Sequence, residues 1–279
     1  MIIDGKKLAL DKLTKLKIRV ARLKAKNITP KLAIILMGSN EASNIYVRQK
    51  GIKAKEIGAQ TQLFHFKKNV TNKKIEALVK KLDKNPKIHG IILQRPAPID
   101  IEVDRLNALV SPIKEIDGFG PKPKYRVPVA QAVILMLKFV YEKTKQKEDF
   151  KKWLKSKKIA VIGKGQTAGR PIIELLEKYG AVPNIIDSKT ENGPQILKSA
   201  DIIVSAVGKR VLSSKEINKD VVLIGVGLYT NEVGKLKGDY DDEDVENVAS
   251  FYSPTPGGVG PLNVACLMEN LVNAATLKN

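Results

Sequence analysis

The chain has 279 residues, of which 43% are apolar, and a formal net charge of +20. This length suffices for one large α/β domain or two domains of ordinary size, and the apolar content excludes a wholly disordered chain. The longest apolar runs are only as long as a strand, and the N-terminus lacks the pattern of a signal peptide. We therefore expect a soluble cytoplasmic protein with no membrane partner.

The sequence contains one cysteine and two histidines. A single cysteine excludes an internal disulfide and a cysteine-based metal cluster, and two imidazoles argue against a catalytic zinc site, so we expect no metal. The lysines are spread over the polar faces of several predicted helices and are not interleaved with aromatic residues. This distribution favours a solvated basic surface over a nucleic-acid-binding one.

Helices and strands alternate in the first half of the sequence. Apolar residues at helical spacing predict a first helix over residues 5–26. The predicted strands are residues 32–37, 61–66 and 89–93, and a helix with Ile75, Leu78, Val79 and Leu82 precedes the third. Such alternation indicates a parallel sheet, which binds ligands at the carboxyl ends of its strands.

The second predicted helix carries Tyr46 and Lys50 one turn apart. It begins among the capping residues 39–43 and runs to about Ile57. A buried lysine binds its proton less tightly and can then exchange protons near neutral pH. In isolation, however, this spacing in a lysine-rich protein more often belongs to a solvated helix face. A functional role for Tyr46 and Lys50 therefore depends on signals elsewhere in the sequence.

Two further polar residues lie in loops rich in proline and glycine. Gln94 follows the third predicted strand, and Pro96 and Pro98 stiffen the loop after it, so its amide can orient an amine or a ligand. Asp117 lies in a tight turn, residues 117–121. Alone, an acid in such a turn more often caps it than contacts a substrate.

The alternating pattern restarts after a predicted helix at 129–141 and a charged connection, 141–158, that we expect to be exposed. The predicted strands of this half are residues 158–162, 182–186, 202–206 and 221–224. A glycine-rich turn, 163–171, lies between the first of them and an apolar helix, where backbone amides can bind a pyrophosphate. This half is predicted to be a Rossmann-like dinucleotide-binding unit.

The segment 253–261 is dense in proline and glycine and precedes a last apolar helix. It is either a plain linker or a loop that lets main chain approach a ligand closely.

Several separated segments together resemble the bifunctional methylenetetrahydrofolate dehydrogenase/methenyltetrahydrofolate cyclohydrolase family. They are Ala42-Ser43-x-x-Tyr46-Val47-x-x-Lys50, Gly90-Ile-Ile-Leu-Gln94-x-Pro96-x-Pro98, Asp117-Gly118-Phe119, residues 163–171 and Pro254-Thr-Pro-Gly-Gly-Val-Gly-Pro261. They occur in the family's order and span nearly the whole chain, and the last is the most specific.

The resemblance implies an α/β fold of two domains. Residues 1–122, completed by a C-terminal helix at 259–279, would form a folate-binding domain with a parallel sheet, and residues 123–258 a Rossmann-like NAD(P)-binding domain. It also implies a homodimer with tetrahydrofolate derivatives as substrates, acting in one-carbon metabolism and purine biosynthesis. Hydride would pass from 5,10-methylenetetrahydrofolate to NADP, and water would then open the methenyl bridge to give 10-formyltetrahydrofolate.

Site residues carry over from the family one by one. Lys50 would transfer protons in the hydrolytic step, and Tyr46 would pack and hydrogen-bond around the folate. Gln94 would orient Lys50, and Asp117 would hold the donor nitrogens of the pterin. The other implied substrate contacts are Ser43, Pro256, Gly257 and Gly258. The implied cofactor contacts are Gly163, Lys164, Gly165, Gly169, Ser188, Lys189, Thr190 and Leu228.

The sequence departs from the family pattern at two places. The loop after Asp117-Gly-Phe is shorter than usual and lacks a Cys-Thr pair, and the usual Gly-Arg-Ser of the cofactor turn is Gly163-Lys164-Gly165. Lys164 and residues 188–190 favour NADP because they can meet its 2′-phosphate. Asp187 is typical instead of an acid that binds a free ribose hydroxyl, so NAD stays possible.

Three other classes of protein share features with this sequence. A short-chain dehydrogenase also pairs Tyr-x-x-x-Lys with a glycine turn, but there the turn comes first in the chain, and the order here excludes that class. The two departures leave open a member that keeps only the cyclohydrolase, with a weakened or NAD-dependent dehydrogenase. The net charge leaves a basic nucleic-acid-binding protein as a distant third.

Overall fold

The computed structural model describes residues 1–277, with Ala42 lacking a described side chain. The helices are α1 (Gly5–Lys24), α2 (Glu41–Glu56), α3 (Asn72–Lys84), α4 (Val103–Asn107), α5 (Pro128–Lys143), α6 (Phe150–Lys155), α7 (Gly169–Lys178), α8 (Gly193–Ser199), α9 (Asp242–Val245) and α10 (Val259–Leu277). The strands are β1 (Lys31–Met37), β2 (Gln60–Phe66), β3 (Gly90–Leu93), β4 (Ile159–Ile162), β5 (Asn184–Ile186), β6 (Ile202–Ser205), β7 (Val222–Gly225), β8 (Leu228–Thr230), β9 (Leu236–Gly238) and β10 (Phe251–Tyr252).

The chain divides into two compact units. The first unit comprises Ala9–Pro128 and Val264–Asn279, and the second comprises Met1–Leu8 and Val129–Asn263. Most of α10 therefore belongs with the first unit, and the start of α1 belongs with the second. The predicted domain limits, 1–122 with 259–279 and 123–258, stay a prediction, and residues 278 and 279 lie outside the described part of the chain.

The first unit is built on a parallel sheet with strand order β2-β1-β3. The central strand β1 is buried from Leu32 to Met37, as its continuous apolar sequence requires. Amphipathic α3 covers the sheet with Ile75, Val79 and Leu82, and the three residues are buried. Beyond β3, Glu115 forms a parallel bridge with Ile91, and this bridge extends the sheet by a short segment.

The second unit contains a five-stranded parallel sheet with strand order β10-β7-β6-β4-β5. Strands β4, β6 and β7 are buried along their whole length, as expected for a sheet with helices on both faces. Ile2, near the N-terminus, forms a parallel bridge to Tyr252 of the edge strand β10. Strands β8 and β9 form a separate antiparallel pair. The predicted α/β fold with two parallel sheets is confirmed.

The expectation that residues 141–158 are an exposed connection is wrong. Helix α6 lies in this segment, capped by Asp149, and it buries Trp153 and Leu154. The Trp153 ring lies 5.7 Å from Tyr141 and 5.8 Å from Phe150. The lysines around these aromatic residues occupy the outer face of a short helix, and their number masked the apolar face in the sequence.

Within residues 1–277, no helix is long and apolar enough to cross a membrane. The same residues contain no group of three or more His, Cys, Asp or Glu side chains arranged to hold a metal ion.

Candidate active site

The amine of Lys50 is buried and hydrogen-bonded to a side-chain amide. Helix α2 starts at Glu41 because Asn40 accepts the backbone N–H of Ser43 at 3.0 Å, and Lys50 lies in the helix interior, 8% exposed. Its Nζ donates to Oε1 of Gln94 at 2.9 Å. The other end of the Gln94 amide, Nε2, donates to the carbonyl of Arg95 at 2.6 Å, and this bond turns Oε1 toward the lysine.

Burial controls the protonation of Lys50. The loss of solvation lowers the pKa of its amine, and the negative charge of Asp117 opposes that decrease without cancelling it. Because the net pKa shift is downward, a larger fraction of Lys50 is neutral near pH 7 than for a solvated lysine. A neutral amine can accept a proton, as a general base must.

Gln94 and Asp117 lie at the same edge of the first sheet. Gln94 directly follows β3, and its backbone N–H donates to the carbonyl oxygen of Ile35 at 2.9 Å. Residues 114 and 115 run parallel to β3, because Ile91 donates to the carbonyl of Lys114 at 2.8 Å and pairs with Glu115. Asp117 follows two residues later, so both polar residues leave the sheet at its carboxyl end, where parallel sheets bind ligands.

Ser43 and Tyr46 share the face of α2 that carries Lys50, at spacings of three and four residues. Ser43 is 1% exposed, and its Oγ has no hydrogen-bond partner among the described residues. The Tyr46 side chain is half-buried, and burial raises the pKa of its phenol. A buried hydroxyl without a partner is costly to the free protein and suits a ligand that would complete its hydrogen bonding.

Of the five predicted residues of the first unit, Ser43, Tyr46 and Lys50 lie on one helix face, and Gln94 contacts the lysine. Asp117 acts on the charge of Lys50 through space. Sequence reasoning missed Glu115, a carboxylate buried to 1% exposure that binds the backbone of the Asp117 turn. A charged pair, Lys114-Glu115, inside an otherwise apolar stretch was the available signal.

The glycine-rich turn of the second unit requires glycine at two positions. Gly163 has φ +87°, and a Cβ there would lie 2.9 Å from the carbonyl oxygen of Ala206. A Cβ on Gly169 would lie 2.0 Å from the carbonyl oxygen of Gly163. At Gly165, by contrast, a Cβ would meet nothing within 4 Å, so this side of the turn is open to a ligand.

Lys164 and Asp187, which the sequence associated with opposite cofactors, form a salt bridge. Lys164 Nζ lies 2.7 Å from Oδ2 of Asp187. The ammonium of Lys164, together with N–H of Lys189 and the hydroxyl of Thr190, lowers the pKa of Asp187 to about 2. Thr190 also accepts the backbone N–H of Asp187 at 3.0 Å, so residues 187–190 form a compact turn around this carboxylate.

A buried acid that sequence reasoning missed holds the loop after β6. Asp239 is fully buried and accepts the Ser205 hydroxyl at 2.6 Å and the N–H groups of Val207 and Gly208 at 2.9 and 2.8 Å. Gly208 lies next to Leu228, since a Cβ on it would be 3.3 Å from the Leu228 carbonyl oxygen. Asp239 stands in an acidic run, 239–244, which is typical of a solvated surface and conceals its role.

Pro256, Gly257 and Gly258 form a tight turn in the second unit. The Thr255–Pro256 peptide is cis, and Gly257 has φ +118°. Gly258 donates to the carbonyl of Pro254 at 2.8 Å, and a Cβ on Gly5 would lie 1.8 Å from the Gly258 carbonyl oxygen. The segment is therefore an ordered turn against which the start of α1 packs closely, and not a plain linker.

Two family models match the chain. The tetrahydrofolate dehydrogenase/cyclohydrolase catalytic domain matches residues 3–117, and the NAD(P)-binding domain of the same family matches residues 143–279. The bifunctional protein FolD of Lactococcus lactis subsp. lactis is 35% identical over 286 residues, covering 99% of this chain and 98% of the relative. FolD of Lactobacillus acidophilus is 36% identical over 289 residues, covering 100% and 98%.

Solved structures agree with the sequence relatives. The bifunctional enzyme FolD from Campylobacter jejuni superposes with a TM-score of 0.92 at 31% identity, covering 100% of this chain and 99% of that one. The Trypanosoma brucei enzyme, solved with NADP and an inhibitor, gives a TM-score of 0.89 at 26% identity, covering 99% and 97%. This chain therefore belongs to the tetrahydrofolate dehydrogenase/cyclohydrolase family.

Proposed function

We propose that this protein oxidises 5,10-methylenetetrahydrofolate to the methenyl compound with NADP and hydrolyses the product to 10-formyltetrahydrofolate. The observation that carries the proposal is the buried pair of Lys50 and Gln94, with their atoms 2.9 Å apart, at the carboxyl end of a sheet in a chain of this family. The Campylobacter jejuni structure is described as a bifunctional methylenetetrahydrofolate dehydrogenase/cyclohydrolase, and the Lactococcus and Lactobacillus relatives as bifunctional proteins FolD.

Lys50 is the proton-transfer group of the hydrolytic step in this proposal. The methenyl substrate is a delocalised cation, so a neutral amine attracts it better than an ammonium would. Water forms a C–O bond to the bridging carbon, and Lys50 takes one of its protons. Lys50 then passes this proton to N5 as the bond from N5 to the bridging carbon breaks, and the second water proton leaves as the formyl C=O forms.

Gln94 and Asp117 have supporting roles. The Gln94 carbonyl accepts a hydrogen bond from Lys50 and so directs the lone pair of the neutral amine. The Asp117 carboxylate accepts hydrogen bonds from the pterin, and Tyr46 and Ser43 contact the bound folate from α2. These roles explain why the polar groups at this edge are buried although burial is costly for them.

The glycines of the second unit fit a dinucleotide. Because Gly163 and Gly169 have no side chains, the backbone segments of this turn can pack closely against one another. The helix α7 that follows presents N–H groups to a pyrophosphate. When bound, the nicotinamide cofactor accepts the hydride. The contribution of this chain is to hold and orient both reactants, because hydride transfer needs positioning more than acid or base catalysis.

We propose NADP as the preferred cofactor, with NAD as a weaker one. Lys164 neutralises Asp187, the residue that would otherwise repel a 2′-phosphate, and Ser188, Lys189 and Thr190 supply further donors. Titration of the protein with each cofactor tests this preference. We expect the dissociation constant of NADP to be lower, and a markedly tighter complex with NAD would overturn the choice.

The proposal extends to a cytoplasmic homodimer whose product serves purine biosynthesis. Strand β2 is an edge strand of the first sheet, and Leu63 on it is 49% exposed, as are Ile45 and Ile52 of α2 at 55% and 45%. Such an edge with exposed apolar side chains suits pairing with a second copy. Light scattering on the purified protein should give twice the mass of one chain. The mass of a single chain at micromolar concentration would refute the dimer.

One turnover experiment tests the central proposal. Purified protein is given 5,10-methylenetetrahydrofolate with NADP or NAD, and formation and loss of the methenyl compound are both followed by absorbance. We expect both phases with NADP. If the protein hydrolyses supplied methenyl compound but does not oxidise the methylene compound, only the cyclohydrolase part of the proposal stands. If the protein shows neither of the two activities, the assignment is refuted.

A further inference from the structure

Glu115 is a buried carboxylate whose hydrogen bonds all serve one turn of backbone and a neighbouring side chain. Its Oε1 accepts N–H of Asp117 and of Gly118, each at 3.1 Å, and its Oε2 accepts N–H of Gly120 at 3.0 Å. The backbone of Phe119 and the side chain of Asn107 also hydrogen-bond to this carboxylate. Since a buried carboxylate is costly unless its oxygens are saturated with donors, these N–H groups are held firmly in place.

A second side chain also binds this turn. The amide of Asn270, on α10, donates to the carbonyls of Ile116 at 2.9 Å and Arg126 at 3.1 Å. Gly118 has φ +80°, and a Cβ there would lie 2.7 Å from the Val127 nitrogen. Glu115 therefore binds N–H groups of the turn and Asn270 binds a carbonyl at its start, and of these two side chains Glu115 is the one that contacts the N–H of Asp117.

The turn also contacts the loop that orients Lys50. The Phe119 ring lies 5.3 Å from the guanidinium carbon of Arg95, a cation–π contact. Arg95 directly follows Gln94, and its carbonyl accepts the Gln94 amide. A displacement of the turn would consequently reach both Asp117 and the residue that binds the Lys50 amine.

We propose that Glu115 is a positioning residue that fixes the Asp117 carboxylate for the pterin through the backbone N–H groups it binds. This inference rests on the proposed function. It assigns no chemical step to Glu115, which acts on the substrate only through Asp117.

The test compares Glu115→Gln with Asp83→Asn in the full-length protein. Glutamine has the shape of glutamate, but an NH2 group replaces one of the two oxygens. This NH2 group cannot accept a hydrogen bond from a backbone N–H. Asp83 is a matched control because its Oδ1 accepts the N–H and hydroxyl of Ser111 at 3.0 and 2.7 Å, anchoring the start of the same segment but not Asp117. Hydrogen exchange of residues 117–120 and the KM values for folate and NADP are measured for each.

For Glu115→Gln we expect faster exchange in the turn, a rise of about tenfold in the folate KM and an unchanged NADP KM. Asp83→Asn should leave the exchange at 117–120 and both KM values unchanged. In the Asp117→Asn background, Glu115→Gln should add little to the folate KM, because both changes act through one carboxylate. A purely structural role would lower stability without this selective and non-additive effect.

An active wild type whose folate KM does not change in Glu115→Gln would overturn the inference alone. Equal increases with and without Asp117 would also overturn it. If Glu115→Gln does not fold, Glu115→Asp replaces it, since aspartate keeps the charge but ends one methylene short of the turn, and an unaltered folate KM in that variant would be equally decisive. A wild type inactive on folate would instead refute the proposed function, and the inference with it.

Discussion

The Nζ of Lys50 lies 2.9 Å from Oε1 of Gln94, and the two residues are 8% and 6% exposed. Among the described residues Lys50 forms no salt bridge, so its protonated form gains less than it would beside a carboxylate. The fold thus keeps an amine available as a base without removing it from hydrogen bonding.

Replacing Lys50 by methionine should abolish hydrolysis and preserve the fold. Methionine fills a similar volume but cannot carry a proton, and general acid–base groups contribute about 10²–10⁴-fold to rate. We expect the methenyl compound to accumulate during turnover with NADP. Lys53→Met is the matched control, since Lys53 lies three residues further along α2, partly exposed and paired with Glu56. Hydrolysis near the wild-type rate in Lys50→Met would contradict the role of this lysine.

Replacing Gln94 by glutamate should move the pH dependence of hydrolysis upward. A carboxylate in place of Oε1 would stabilise the ammonium of Lys50 and raise its pKa, which burial lowers in the wild type. Since the neutral amine is the active base, the rising limb of the rate profile should shift to higher pH, and the rate at pH 7 should fall. Gln62→Glu, on exposed β2, controls for an added charge. An unshifted limb would show that Gln94 does not govern Lys50.

Much of the first unit was predictable because its signals are local. The continuous apolar sequence of β1 and the spacing of Tyr46 and Lys50 on one helix predict strand and helix without reference to distant residues. The contact between Lys50 and Gln94 could be expected only in outline. Two elements at a common sheet edge follow from topology, but a 2.9 Å bond does not.

The residues that the sequence concealed are buried polar or aromatic groups in charged surroundings. Asp239 accepts N–H groups of the loop after β6, which lies 30 to 32 residues earlier in the sequence, and the acidic residues that follow it conceal its burial. Glu115 accepts N–H groups only two to five residues away, and the apolar stretch around it is the one local sign of its burial. Trp153 is 3% exposed although lysines flank it. The mean hydropathy of such a segment is set by its exposed charged residues, so it does not reveal the one or two side chains that are buried in the core.

Replacing Asp187 by serine should strengthen the preference for NADP. The change removes the carboxylate that pairs with Lys164 at 2.7 Å, so the ammonium is free for a 2′-phosphate and the repulsion disappears. We expect the dissociation constant of NADP to fall about three- to tenfold, with a weaker NAD complex, at low salt. Glu174→Ser, which breaks the Arg170 pair on α7, should change neither constant. A stronger NAD complex in Asp187→Ser would reverse the interpretation of this salt bridge.

Replacing each of two buried serines by alanine should have different effects on stability. Ser43 Oγ has no hydrogen-bond partner among the described residues, so Ser43→Ala removes a buried polar group that gains nothing in the free protein. Ser205 Oγ donates to Asp239 at 2.6 Å, and Ser205→Ala deprives a buried carboxylate of a donor. Both serines are 1% exposed, which makes the comparison a matched one.

We expect Ser43→Ala to leave the free energy of unfolding unchanged or to raise it by about 1 kcal/mol, whereas Ser205→Ala should lower it by about 1–3 kcal/mol. Chemical denaturation of the ligand-free variants measures both changes. Folate should then stabilise Ser43→Ala less than it stabilises the wild type, because binding of the ligand is linked to stability and the variant lacks the hydroxyl that a folate would satisfy. Two outcomes would show that this hydroxyl does not serve the ligand. In one, Ser43→Ala is less stable than the wild type without folate. In the other, folate stabilises the variant as strongly as it stabilises the wild type.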